Sequence, residues 1–191
     1  MKNVAVLLGS LSEKSINRSL AKAIEKLAEG RLQFDYLPIG DLPHYNNDLW
    51  ENPPSAVLDI KRRVEAADAV LIVMPEINRS YPAVIKNAID WASRPYGKNS
   101  WSGKPLAIAG ASPGAIATAA GQNHLRATLP LFGFVVMGQP EVYFQFKPGL
   151  IDENFEVTDE QSRGFLQNFV DKYADWIHRH GEDRSLSVAA E

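Results

Sequence analysis

Val4-Ala5-Val6-Leu7-Leu8 is a continuous apolar run that ends at Gly9-Ser10. A run without polar interruption suits a strand covered on both faces, as in a parallel sheet. A polar loop follows, then a helical spacing at Leu20, Ile24 and Leu27, with Gly30 as its stop. Phe34 to Leu37 reads as a second strand, and residues 38–54, rich in Pro and Asn, as a long loop. Val57, Ile60 and Val64 mark one face of a helix that runs to Ala67. Ala69-Val70-Leu71-Ile72-Val73-Met74 is the clearest buried strand and stops at Pro75-Glu76. A helix begins at Pro82, where proline suits the first turn, with Val84, Ile85, Ala88 and Ile89 on its stripe.

Residues 94–104 read as a loop, Leu106 to Ala111 as a strand, Ala117 to Leu129 as a helix of small residues, and Phe134 to Met137 as a fifth strand. Residues 138–157 are read as irregular. Thr158-Asp159-Glu160-Gln161 has the spacing of a capping box and opens a last helix striped by Phe165, Phe169, Val170, Tyr173 and Ile177. One domain over residues 1–181 is expected, and the small, polar stretch 182–191 reads as a flexible tail. Strict β-α alternation calls for an α/β fold, a doubly wound parallel sheet with helices on both faces. Five strands fit the flavodoxin-like order 2-1-3-4-5 better than a six-stranded dinucleotide fold.

Composition narrows the chemistry. The 191 residues are 45% hydrophobic and 23% charged, ordinary for a globular chain, with a net charge of -3. That mild acidity gives no reason to expect nucleic acid or an anionic membrane as partner. The absence of cysteine removes disulfides, thiolate catalysis and cysteine metal sites. The apolar run after Met1-Lys2-Asn3 is too short for a signal peptide, and none approaches the ~20 residues of a membrane span, so a cytoplasmic protein is expected. His178 and His180 stand two apart and face different ways on a helix, so no metal site is expected there. No Gly-x-Ser-x-Gly elbow supports a serine hydrolase. Glu76 has no second acid in view for glycosidase chemistry. Trp91 and Trp101 suit either a subunit contact or core packing.

Ligands of open α/β sheets sit beyond the carboxyl ends of the strands, near the switch point. Three unusual loops follow the first, third and fourth strands. In the first, Ser10, Ser12 and Ser15 offer hydroxyls and Asn17 an amide before a helix N-terminus, the parts of a phosphate cradle; an ordinary helix cap explains them too. It is neither a Walker loop nor a G-x-G-x-x-G loop. In the second, Pro75 to Asn78 could give a backbone edge to a planar ring, with Ile77 or Tyr81 as apolar cover. In the third, Gly114 of Ser112-Pro113-Gly114 lets the chain pass close to a ligand, as a plain turn would.

Six segments together resemble the flavodoxin-like NAD(P)H-dependent FMN reductases, and among them the quinone reductases also described as chromate reductases. They are Gly9-Ser10-Leu11, Ser15-x-Asn17, Pro75-Glu76-x-Asn78-x-Ser80-x-Pro82, Lys86-Asn87-Ala88-Ile89-Asp90-Trp91, Gly103-Lys104-Pro105 and His124-Leu125-Arg126. The resemblance covers about residues 4–140 and is most specific from Pro75 to Trp91. It implies non-covalent FMN, with Ser10, Leu11, Ser12, Ser15, Ile16 and Asn17 at the phosphate. Pro75, Glu76, Ile77, Asn78 and Arg79 would line the isoalloxazine ring, and Ser112 and Gly114 its far side. It implies NADPH or NADH as donor, a quinone, azo compound, flavin or metal oxyanion as acceptor, and a homodimer or homotetramer. The chain departs from the pattern at Ser12, often arginine; at Lys14, often a small residue; at Ile77, commonly tyrosine; and at Ala117-Thr118, usually Gly-Gly.

The expected function is an oxidoreductase whose hard chemistry belongs to the cofactor, with no protein general acid named. A flavodoxin-type electron carrier is the alternative, and such carriers are usually more acidic than this chain. A module that kept the fold and lost the cofactor is the third reading.

Overall fold

The computed structural model describes residues 1–181, so the stretch 182–191 read as a flexible tail lies outside the described residues. The elements run β1 (Lys2–Leu8), α1 (Ile16–Leu27), β2 (Leu32–Tyr36), α2 (Ser55–Ala66), β3 (Ala69–Val73) and α3 (Ala83–Ala92). Then follow β4 (Pro105–Ser112), α4 (Ala119–Thr128), β5 (Val135–Val136), β6 (Val142–Gln145) and α5 (Glu160–Gly181). The strands are parallel in the order β2-β1-β3-β4-β5, as expected, with β6 also paired to β4.

Alternation along the central strands sends side chains to two separate cores. Val4, Val6, Leu71 and Val73 face α1 and α5, where they meet Leu20, Ile24, Phe169 and Tyr173. Ala5, Leu7, Val70 and Ile72 face α2, α3 and α4, against Ile60, Ile89, Trp91 and Leu125. Each such aliphatic side chain contributes about 1.5–3 kcal/mol by leaving water. Trp91 and Trp101 are fully buried, which decides for core packing. The buried Tyr173 hydroxyl donates to Val70 O at 2.7 Å, and burial holds its pKa well above the usual value.

Two sequence readings change. The stretch 138–157 is not wholly irregular: Val142–Gln145 adds a parallel strand along Ala109–Ser112, while β5 covers only Pro105 and Leu106. The fifth position of the sheet is thus split in two, with Gly138 and Pro140 between; proline has no N–H for the ladder. The last helix is capped by Asp159, whose Oδ2 accepts from Ser162 N–H at 2.7 Å. The Thr158 hydroxyl instead donates to Gly149 O at 2.6 Å. Its buried stripe begins at Leu166, while Phe165 is exposed.

Polar groups, buried or half-buried, fasten the long connections to the helices. Asn87 accepts from Tyr45 N–H at 2.8 Å and donates to Pro43 O at 2.9 Å, and Trp91 Nε1 donates to the same carbonyl at 2.8 Å. The segment 38–54, which forms two short 3-10 turns, is therefore held on α3. Lys104 is fully buried, and its ammonium donates to the carbonyls of Glu65 and Ala67 at the end of α2. Helix-terminal carbonyls are well served by a cation.

Candidate functional site

The loops after β1, β3 and β4 meet beyond the carboxyl ends of the strands. They enclose a cleft of about 330 Å³ lined by Ser10, Lys14, Ser15, Ile16, Asn17, Pro75, Glu76, Ala111, Ser112 and Pro113. That volume is in the range of small-molecule sites. A larger hollow of about 560 Å³, among Lys22, Gly30, Leu32 and Phe34, contains no residue of the three loops. Convergence of loops, not size, marks the site.

The first loop ends where Ser15 caps α1, its Oγ accepting from Asn17 N–H at 3.2 Å. The first turn of α1 carries no acidic side chain, so the positive end of the helix meets the cleft uncompensated. Lys14 adds a cation to the lining. The Asn17 side chain does not reach out to the cleft as a free amide. It is buried, accepts from Ala111 N–H at 2.8 Å and donates to Ala111 O at 2.9 Å. At that level β3 has already turned away, and the amide of Asn17 takes the place of the missing peptide neighbour of β4. Leu11 lies over Gly40, where a Cβ would come within 2.8 Å of its Cδ2. Together with Ser10, Arg18 and Tyr36 it borders a neighbouring hollow of about 300 Å³.

The second loop is a tight hairpin turn. Ile77 N–H donates to Ser80 O at 3.0 Å and Ser80 N–H to Ile77 O at 2.9 Å. Asn78 and Arg79 between them are both left-handed, with φ of 50° and 67°. Two positive φ values make a type I′ turn, a setting that suits Asn and Gly and costs an arginine about 1–2 kcal/mol. Ile77, Asn78 and Arg79 are exposed and are not among the side chains that line the cleft, and Arg79 reaches back toward Glu76. Glu76 turns the other way. Its side chain is only 9% exposed, and Oε2 accepts from Gly121 N–H at 2.9 Å in the first turn of α4. Oε1 lies 3.3 Å from Arg79 Nη1. The lone carboxylate is therefore a helix cap supplied from another loop.

The third loop passes through Ala117, left-handed at φ 47°. Thr118 is buried beside Gly110, whose missing Cβ leaves room for the Thr118 side chain and the Met74 carbonyl. A Cβ at Gly121 would come within 2.9 Å of Ser80 O. These two glycines set how closely the second and third loops approach; the sequence offered no spacing that singled them out. His124, one turn further along α4, has Nδ1 2.9 Å from Ser80 Oγ and its ring centroid 5.1 Å from that of Tyr81. It is therefore paired with Ser80 and Tyr81, while Arg126 donates to Met137 O at 3.0 Å.

Among the described residues no group of three or more His, Asp or Glu side chains could hold a metal ion. No described helix is long and apolar enough to cross a membrane.

Residues 2–149 match the family described as NADPH-dependent FMN reductase. A 2-hydroxy-1,4-benzoquinone reductase from a Burkholderia species is 46% identical over 174 residues, 91% of this chain and 95% of that protein. A quinone reductase of Pseudomonas putida is 44% identical over 176 residues, 92% of this chain and 94% of that one. Among solved structures, FerB from Paracoccus denitrificans, a flavoenzyme NAD(P)H:(acceptor) oxidoreductase, superposes with a TM-score of 0.93 at 54% identity. The match covers 94% of this chain and 99% of that one.

Proposed function

Because the chain belongs to the NADPH-dependent FMN reductase family, we propose that it holds FMN in the three-loop cleft and passes electrons from NADPH or NADH to a quinone. It is an oxidoreductase, and FMN held in the cleft would supply the hydride and electron chemistry between nicotinamide and acceptor. The observation that carries the placement is the cleft itself, where the open end of α1, with no acid in its first turn, faces the loops after β3 and β4.

Ser10, Leu11, Ser12, Ser15, Ile16 and Asn17 form the phosphate end. Ser10 and Ser12 hydroxyls and the main-chain N–H groups of the first turn donate to the anion, and Lys14 supplies charge where Ser12 does not. The buried bridge from Asn17 to Ala111 fixes that turn against β4. Pro75, Glu76, Ile77, Asn78 and Arg79 form the ring edge: the main chain of the turn offers donors and acceptors, Ile77 apolar cover, and Glu76 the tie to α4. Ser112 and Gly114 border the far side. With only Ser112 Oγ within 4 Å of an ideal Cβ, Gly114 leaves that side open to a flat ligand. The named activities of the Burkholderia and Pseudomonas relatives favour a quinone over azo compounds, free flavins or metal oxyanions.

Dependence on NADPH or NADH, which the cytoplasm regenerates, supports a cytoplasmic enzyme. Leu131, 85% exposed beside Phe132 in a groove of about 310 Å³, and Tyr96, 94% exposed, support self-association into a dimer or tetramer. Light scattering on a sizing column reads that state.

The test is a visible spectrum of protein loaded with FMN and desalted, then titrated with NADPH without oxygen. Retained flavin that bleaches and returns on adding a quinone supports the proposal. Retained flavin that NADPH leaves coloured makes the protein a carrier, and no retained flavin removes the site assignment.

A further inference from the structure

We infer that His124, acting through Ser80, is a positioning residue that holds the Ile77–Ser80 turn in the shape the flavin edge requires, an inference that rests on the FMN reading above. Two consecutive left-handed residues, neither of them glycine, make this turn costly to form. A strained segment persists only where its surroundings over-determine it. Here the surroundings are one short stretch of α4. Glu76, just before the turn, accepts from Gly121 N–H; Ser80, at its end, meets His124 Nδ1 at 2.9 Å; and the next residue, Tyr81, packs its ring against the same imidazole. Gly121 and His124 are three residues apart and lie on one face of the helix. The absent side chain at Gly121 lets the Ser80 carbonyl come in close.

The turn is thus anchored at both ends to a rigid element, and α4 begins directly after the third loop. One helix face sets the spacing between the two loops that border the ring. Glu76 holds the entry to the turn, and the Ser80–His124 hydrogen bond holds its exit. Without the exit anchor, Asn78 and Arg79 relax toward right-handed backbone, and the main-chain groups presented to the flavin lose their alignment.

The experiment compares wild type with Ser80→Ala, His124→Ala, the double variant and His124→Asn, whose side-chain amide can stand near the Nδ1 position. FMN affinity is read by fluorescence quenching on apoprotein, and flavin midpoint potential on loaded protein. Exchange of the Ile77 and Ser80 amide protons is read on apoprotein by hydrogen–deuterium exchange. Each single alanine variant is expected to weaken FMN about three- to tenfold, the effect of one lost neutral hydrogen bond. The double variant should be no weaker than the worse single one. His124→Asn should return affinity to within about twofold of wild type and bring the midpoint potential back to the wild-type value. Exchange at Ile77 and Ser80 should quicken in both single alanine variants. Additive losses, an Asn variant as weak as the Ala variant, or unchanged exchange with unchanged affinity each overturn the inference. If wild type itself takes up no FMN, the cofactor reading fails while the exchange rates still decide whether the anchor exists.

Discussion

Replacing Asn17 by alanine separates two roles that the same residue could play. A ligand contact would cost affinity and leave the apoprotein intact. The observed geometry demands the reverse order of effects. Both halves of the side-chain amide are engaged with Ala111, at 2.8 and 2.9 Å, and both residues are buried. Removal strands one N–H and one C=O of β4 at a level where β3 no longer runs alongside. A buried main-chain group left unpaired costs about 1–3 kcal/mol. The cleft borders Ala111 and can admit water, so the lower part of that range applies, about 2–4 kcal/mol for the pair. For a domain of this size 1 kcal/mol moves Tm by about 2–4 °C, so apo Asn17→Ala should melt about 4–16 °C below wild type. Asn17→Asp keeps the acceptor but turns an oxygen toward the Ala111 carbonyl, so its apoprotein should be no more stable than the alanine variant. It also places a carboxylate in the first turn of α1, which should weaken FMN further than alanine does. Differential scanning fluorimetry of the apoproteins and FMN titration give the two numbers. An apo Asn17→Ala protein melting within about 1 °C of wild type, with FMN affinity lost, would refute the structural account of this residue.

The other expectations are simpler to state. Arg79→Gly relieves the left-handed backbone of an exposed residue at the cost of a freer unfolded chain, and should raise apo Tm by about 1–4 °C; an unchanged or lower Tm counts against strain at this position. Glu76→Ala removes the cap from Gly121 N–H and should cost about 1–2 kcal/mol in urea unfolding, more than Arg79→Ala, whose guanidinium is 72% exposed. Ser15→Ala removes the N-cap of α1, with an expected loss of about 1 kcal/mol and weaker FMN binding by titration. Burial raises the Tyr173 pKa, so the folded state keeps a proton that the unfolded chain releases from about pH 10 upward. The stabilisation from this group is therefore whole below that pH and declines above it. Tm of wild type should fall more steeply between pH 9.5 and 11 than Tm of Tyr173→Phe, and parallel curves would contradict this.

The fold was legible because its strands are continuous apolar runs punctuated by Gly, Ser or Pro, and both faces of β1, β3 and β4 are covered. Where the reading failed, local pattern competed with tertiary context. Val142-Tyr143-Phe144-Gln145 is a four-residue alternation just after a proline, too short to stand apart from loop, and it becomes a strand because β4 extends past β5 and offers it an edge. Thr158 and Asp159 are both good caps, and the choice fell to Asp159 once Gly149 claimed the Thr158 hydroxyl. Phe165 is one residue out of phase with the helical set Leu166, Phe169, Val170, Tyr173 and Ile177, and a 3.6-residue period admits the leucine instead.

The candidate cleft was legible in a different way. Position beyond the strand ends selects the loops, and Ser10, Ser15, Ile16, Asn17, Pro75, Glu76 and Ser112 do line one cleft. Roles within the site were hidden, because a side-chain amide or carboxylate looks the same in sequence whether it faces a ligand or a peptide group. Asn17 and Glu76 have the chemistry of ligand contacts, yet both are engaged by main chain more than 40 residues away. Much of the most specific stretch of the sequence proves equally structural, since Asn87 and Trp91 hold the segment around Pro43 and Tyr45. These facts share a cause. A ligand bound by main-chain groups needs loops without regular hydrogen bonding, and such loops keep one shape only if buried side chains supply the partners that a helix or sheet would have given them. A site of this kind is therefore recorded in sequence less by the groups that touch the ligand than by the Asn, Glu, Ser, His and Gly residues that hold the loops against β4 and α4.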